Sequence, residues 1–368
     1  MIESKHSGET LWALLKRRAV SRRDFLKTCA ALTGMLGLPP AALPAVVAAA
    51  ETKPLPPVIW LHGHECTGCD EAFIRSQKPL ASDIVLNLIS LEDMEVLGAA
   101  AGEALERHHH EIIAKYPGKY LLLFEGAVPT ADGGVSCMVG GKPIAAKLRA
   151  AAQNAAAVVA VGSCAAWGGI QAARPNPTGS VAVSEIVGSR PLINVPGCPP
   201  IPEVLTGTVM HYVLFGMPPL DSKRRPLQFF GNRIHDTCYR RAFFDSGMFV
   251  ENFDDKGAKA GWCLYKVGCR GPVAYNQCGS MRWWNGLSYP IQSGAPCVAC
   301  AADNFWDTDP FHQRLPNISL PNTIATADTI GLVAAGATLA GVTAHGLLSV
   351  AQHRRHKEQD RRENKDDE

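Results

Sequence analysis

The sequence predicts an α/β fold, a doubly wound parallel sheet, followed by an irregular cysteine-rich region and one C-terminal apolar helix. Three observations carry this. Apolar runs alternate with helical patterns over residues 51–223, ligand-type side chains crowd residues 224–321, and residues 329–350 carry no Asp, Glu, Lys or Arg. The 368 residues are 46% hydrophobic and 19% charged, enough for a sizeable core and against wholesale disorder. A formal charge of +2 removes the main argument for a nucleic-acid binder. Twelve cysteines are the outlier, because a chain of this length needs no disulfide stapling.

The N-terminus carries Ser21-Arg22-Arg23-Asp24-Phe25-Leu26-Lys27. A weakly apolar stretch follows, broken by Pro39, Pro40 and Pro44, and ends in Ala48-Ala49-Ala50, a small-residue cleavage pattern. Residues 1–50 read as a bacterial twin-arginine (Tat) export signal, an address set aside from the fold together with Cys29. Passengers of this route cross the membrane already folded, which suits a protein that loads its cofactor in the cytoplasm.

Five apolar runs are the expected strands: Val58 to Leu61, Ile84 to Ile89, Tyr120 to Phe124, Ala157 to Val161 and Leu192 to Val195. Helical segments such as 142–156 separate them. Continuously apolar strands between helices mean a parallel sheet covered on both faces, flavodoxin-like in outline. Ligands of such sheets bind beyond the carboxyl ends of the strands. That place holds Glu65-Cys66-Thr67-Gly68-Cys69 after the first run, Gly162-Ser163-Cys164 after the fourth and Pro196-Gly197-Cys198-Pro199-Pro200 after the fifth. A C-x-x-C with two remote cysteines suits an iron–sulfur cluster, zinc or a redox disulfide. The flanking glycines favour the cluster, because they let backbone N–H groups approach sulfide. Neither G-x-G-x-x-G nor G-x-x-x-x-G-K-[ST] occurs, so the usual phosphate cradle is missing.

Residues 224–321 change character. Long apolar runs give way to turn residues and to His235, Cys238, Cys263, Cys269, Cys278, Cys297 and Cys300. Such a segment is expected to use metal centres as its core. A histidine with three cysteines suits one cluster, and the remaining three cysteines a cluster with one iron fewer. Disulfides are disfavoured by an odd count once Cys29 is set aside. Cys137 is left over and reads as a buried structural thiol. His108, His109 and His110 read as a solvated helix end.

Residues 329–350 suffice to span ~30 Å of hydrocarbon at ~1.5 Å per residue. Arg354, Arg355, Lys357, Arg361, Arg362 and Lys365 follow, which keeps the tail 351–368 cytoplasmic. The globular part is then periplasmic, held to the inner membrane by one C-terminal helix. His345 reads as a polar group near the membrane interface rather than as a haem ligand.

The series Cys66-Thr67-Gly68-Cys69, Gly162-Ser163-Cys164, Pro196-Gly197-Cys198-Pro199-Pro200, His235-x-x-Cys238, Gly261-Trp262-Cys263, Gly268-Cys269, Cys278 and Pro296-Cys297-x-x-Cys300 resembles the small subunit of membrane-bound, periplasmic NiFe uptake hydrogenases. The resemblance runs from the export signal to the C-terminal anchor. It implies that Cys66, Cys69, Cys164 and Cys198 hold a proximal 4Fe–4S cluster. It assigns His235, Cys238, Cys263 and Cys269 to a distal 4Fe–4S cluster, and Cys278, Cys297 and Cys300 to a medial 3Fe–4S cluster, with Pro290 at the vacant corner. Glu65 lies beside the proximal site. H2 would be split at a NiFe centre on a large partner subunit, so no catalytic acid, base or nucleophile is expected in this chain. Electrons would leave towards a membrane cytochrome b, or an iron–sulfur, quinone-reducing partner, and the quinone pool. Oxygen-tolerant relatives have two extra cysteines where this chain has Gly68 and Gly169, which implies an ordinary cubane and an oxygen-sensitive enzyme. The rival readings are a stand-alone exported iron–sulfur carrier, a zinc or disulfide module, and a complex-I-like quinone-coupling subunit. The last would share only the first cysteine group.

Overall fold

The computed structural model describes residues 8–77, 79–308, 311–314, 318–320, 323–325 and 327–366. The first seven residues of the leader, Pro321 at the expected end of the cysteine-rich region and the last two residues of the tail lie outside the described residues. Residues 1–313 form one compact unit and residues 314–368 a second.

Five parallel strands organise the first unit: β1 (Pro57–His62), β2 (Ser90–Asp93), β3 (Leu121–Glu125), β4 (Ala157–Val161) and β5 (Leu192–Val195). Their order is β2-β1-β3-β4-β5, with β1 pairing β2 and β3 on its two sides. This is the flavodoxin-like order, with the chain reversing direction across the sheet at β1/β3. Four of the five strands coincide with an apolar run. The run 84–89 does not. Residues Ile84–Leu88 wind as one wide helical turn, and the strand follows at Ser90–Asp93. Ile84 and Leu88, one turn apart, are buried while Leu86 is 52% exposed, so a helical face buried what alternation would have split.

Side chains alternate between two apolar layers. Val58, Trp60, Leu121, Leu123, Val159 and Ile193 face one core, shared with Val204, Leu205 and Val209 of a helix over Pro202–Phe215. Ile59, Leu61, Leu122, Phe124, Val158 and Ala160 face the other, packed on Ile112 and on Leu148, Ala151 and Ala152. The latter come from helices Gly102–Lys115 and Ile144–Gln153. On the first of these helices His108 and His109 are buried, contrary to the solvated end expected. His109 Nε2 lies 2.8 Å from Asp93 and His108 Nε2 3.4 Å from Glu92, so strand β2 supplies the carboxylates that let both rings go inside.

The cysteine-rich region has only short helices, as its turn residues imply. It is not held by ligand residues alone, however. Phe229, Phe230, Ile234, Val250, Leu264, Tyr289 and Ile291 are buried in the same core as one face of the sheet. Residues 8–50 of the segment expected as an address also fold: α-helices Leu11–Arg17, Arg22–Met35 and Leu43–Thr52 pack on the body.

In the second unit, Ile318–Leu320 pairs antiparallel with Thr323–Ala325, and a helix runs over Ala327–Asp366. Its stretch Thr329–Lys357 is long and apolar enough to cross a membrane. Thr338 and Thr343 donate their hydroxyls to carbonyls one turn back, which satisfies them without water.

Candidate metal centres

The carboxyl edge of the sheet gathers the first cysteine group. Cys66 and Cys69 follow β1, Cys69 lying in the first turn of helix Gly68–Ile74. Thr67, at φ 66°, makes the left-handed bend that brings both thiols round. The Cys69 N–H donates to Glu125 Oε1 at 3.0 Å, tying this turn to the end of β3. Cys164 opens the helix after β4 and Cys198 follows β5. The four thiols sense one another. Cys164 and Cys198 act on Cys69, Cys66 acts on Cys164, and both Cys66 and Cys164 act on Cys198. Burial pushes Cys164 up to about 11 and Cys198 up to about 12. Glycines make the room. A Cβ on Gly162 would sit 2.5 Å from Cys69 Sγ, and one on Gly169 2.5 Å from Cys164 Sγ.

His235, Cys238, Cys263 and Cys269 line one small pocket together with Arg240, Gly271 and Ile291. The His235 ring meets Phe244 edge-on at 4.6 Å. Burial and the charges of Arg241 and Arg233 lower its pKa, so the imidazole is held neutral, the form that ligates metal. The Arg240 N–H points at Cys238 Sγ at 3.4 Å, and the Tyr289 hydroxyl lies 3.8 Å from the same sulfur.

Cys278, Cys297 and Cys300 form the third group, each raised by burial, Cys278 up to about 12. Cys300 acts on Cys278, and both act on Cys297. The Ala299 N–H points at Cys297 Sγ at 3.3 Å. Pro290 sits in the neighbouring turn, its carbonyl accepting from Ala295 N–H at 2.9 Å.

The third group lies between the other two. The Cys198 N–H faces the Cys300 thiol, and the Cys297 N–H faces the Cys269 thiol. The Arg270 N–H reaches the Cys297 carbonyl at 2.7 Å, and Trp167 Nε1 the Ala301 carbonyl at 3.2 Å. Along the chain the groups run first, second, third; in space they run first, third, second.

None of the twelve cysteines is in a disulfide. Eleven candidate ligand side chains thus converge in three groups, with N–H donors aimed at sulfur and glycines where a Cβ would intrude. The donor set therefore fits iron–sulfur clusters. Cys137 belongs to none of the groups and is half-buried against the second apolar layer. Glu65 is half-buried, its carboxylate accepting from Thr67 N–H.

Sequence reasoning passed over a buried triad at the same edge. His62 closes β1, Glu125 closes β3, and Asp70 lies between them, with His62 Nε2 2.9 Å from Asp70 Oδ2. Burial and the Asp70 charge push the Glu125 carboxyl up to about 8. A charged residue ending an otherwise apolar strand was the available signal.

Fold and site together define a flavodoxin-like sheet that carries three groups of candidate metal ligands. Residues 230–312 match the family described as the C-terminal part of the NiFe/NiFeSe hydrogenase small subunit, and residues 66–212 the family "NADH ubiquinone oxidoreductase, 20 Kd subunit". The chain is 48% identical to the uptake hydrogenase small subunit of Azotobacter vinelandii over 95% of its own length and 98% of that protein's. It is also 48% identical to the hydrogenase-1 small chain of Escherichia coli K12, over 96% of both. A solved NiFeSe hydrogenase of Desulfomicrobium baculatum superposes with a TM-score of 0.67 at 36% identity, covering 71% of this chain and 100% of that one. The chain belongs to the small subunits of NiFe uptake hydrogenases. The complex-I-like match covers only the first cysteine group, as anticipated for that rival.

Proposed function

We propose that this chain pairs with a large subunit that splits H2 and carries the electrons away to a membrane acceptor and the quinone pool. The observation that carries this is the contiguous line of three thiol groups, with Cys278, Cys297 and Cys300 seated between the other two. Cys66, Cys69, Cys164 and Cys198 would hold the proximal 4Fe–4S cluster, Cys278, Cys297 and Cys300 the medial 3Fe–4S cluster, and His235, Cys238, Cys263 and Cys269 the distal 4Fe–4S cluster. When bound, such clusters supply one-electron relays. The protein holds the sulfur ligands rigid, supplies N–H donors from Ala299 and Arg240, and keeps water off through burial of Cys69, Cys278 and Cys297. The half-buried, neutral imidazole of His235 suits the outermost position. Gly169 leaves no space for a side chain, which supports an ordinary cubane and an oxygen-sensitive enzyme. The body is periplasmic after export on the 1–50 leader, and the helix after Ala327 anchors it in the inner membrane with the tail in the cytoplasm.

The test is iron and sulfide analysis with EPR on the purified pair. About eleven irons per small chain and a 3Fe signal on oxidation are expected. Cys297→Ser should remove about three irons and most H2-driven dye reduction, whereas Cys137→Ser should change neither. Zinc or zero iron, or an unaltered Cys297→Ser protein, overturns the reading. Isolation as a stable iron-bearing monomer would favour the lone carrier.

A further inference from the structure

The leader is folded against the body. Leu11, Leu14, Phe25, Cys29, Leu32, Leu36 and Val46 are at most 3% exposed and belong to the same apolar core as the sheet. Polar ties fasten it at several points. Leu55 N–H donates to Glu9 O at 2.7 Å, Gln228 Nε2 donates to the Leu36 carbonyl, and Arg18 donates to Asn87.

The parts an export system must read or cut are caught in this contact. Phe25, inside the twin-arginine segment, is fully buried against Trp12, ring centroids 4.7 Å apart. The Arg22 guanidinium stacks on Trp12 and Phe25 at 5.0 and 4.9 Å and is ion-paired to Glu51. The cleavage pattern Ala48-Ala49-Ala50 is helical, with Ala49 and Ala50 at 7% and 1% exposure. A peptidase needs an extended, accessible segment, and a receptor for paired guanidiniums and an aromatic side chain needs Phe25 outside.

We propose that the docked leader is an intramolecular latch: it withholds Phe25 from the export receptor, ties the exposed Arg22 down through Glu51, and withholds Ala49 and Ala50 from the peptidase, until it swings off the body. The proposal rests on reading residues 1–50 as an export leader. Undocking is then a step before both recognition and cleavage, and weakening the body's grip speeds export.

The test uses the full-length precursor with residues 1–50 unaltered. Two body side chains are changed together, Gln228→Ala and Asn87→Ala; Glu51→Gln, which releases Arg22, is the second variant. Each removes about one hydrogen bond or ion pair, so the open fraction should rise roughly five- to thirtyfold in the double variant. The readouts are alkylation of buried Cys29, followed by mass spectrometry of its peptide, and pulse-chase half-life of the precursor in exporting cells. Expected are slow Cys29 labelling in the wild type, faster labelling in the variants at unchanged iron content, and a shorter half-life. Wild-type Cys29 labelling as fast as in the unfolded chain overturns the latch. So does unchanged labelling in both variants, or faster labelling with unchanged or slower export. Arg23→Lys tests the leader reading separately: Arg23 is exposed, so its loss should impair export while Cys29 stays protected. Export unaffected by Arg23→Lys would sink the signal assignment and leave the docking result standing.

Discussion

Gly169 and Gly68 flank the first cysteine group, yet the structure demands opposite outcomes when each becomes alanine. Gly169 sits at φ 63°, ψ −160°, a region essentially reserved for glycine and costing other residues ~1–3 kcal/mol. A Cβ there would lie 2.5, 2.7 and 2.9 Å from Sγ, Cα and Cβ of Cys164. Carbon contacts settle near ~3.5–4.0 Å, so Cys164 must move by roughly 1 Å. Metal ligands tolerate about 0.2 Å, so Gly169→Ala should lose about four irons per chain. With ~2 kcal/mol of strain, the thermal midpoint of a unit of this size should fall by about 2–4 °C. Gly68 opens a helix with an ordinary φ, and its Cβ would meet only Cys66 Sγ, at 3.2 Å. That sulfur is exposed and has to give by only a few tenths of an ångström, and alanine favours the helix by ~0.5–1 kcal/mol. Gly68→Ala should keep its iron and H2-driven dye reduction. Iron and sulfide analysis of both variants decides the matter. Full iron and an unshifted midpoint in Gly169→Ala, or equal losses in both, would refute the argument.

Two further outcomes follow from other parts of the molecule. Asp221 is pushed up by burial, but this is outweighed by the Arg225 N–H and guanidinium, at 2.9 and 2.8 Å, so its carboxyl lies below the usual range. A depressed acid contributes stability at neutral pH that is lost as pH falls below the ordinary aspartate value. Asp221→Asn should therefore lower the midpoint at pH 7 by about 2–4 °C, for ~2 kcal/mol, and by progressively less as the pH falls from about 4 towards 2 in calorimetry. A constant difference across that range would count against the linkage. Deleting residues 327–368 should move the hydrogenase pair from the membrane pellet to the soluble fraction with dye reduction retained; persistence in the pellet would refute the anchor.

Much of this was legible in the primary structure because the signals are local or depend on residue type. Four strands showed as apolar runs, since a strand buried on both faces has no polar side to interrupt it. The run 84–89 misled because Ile, Val and Leu suit a buried strand and one helical turn equally, and only the packing of Ile84 and Leu88 decided between them. His108 and His109 looked solvated because the carboxylates that pair with them, Glu92 and Asp93, lie on another element. The leader resembled an address, and nothing local in residues 1–50 announced that Gln228 and Asn87 would receive it.

By itself, the order of residues determined which side chains are thiols or imidazole, that the first cysteine group follows the strands' carboxyl ends, and that a charge-free stretch precedes the basic tail. Tertiary structure alone decided that the third cysteine group comes to rest between the first two. That position is set by long-range contacts, Cys198 to Cys300 and Cys269 to Cys297, between segments that are not neighbours along the chain. Chain connectivity carries no distance information across such separations; packing of the cysteine-rich region onto the sheet core supplies it.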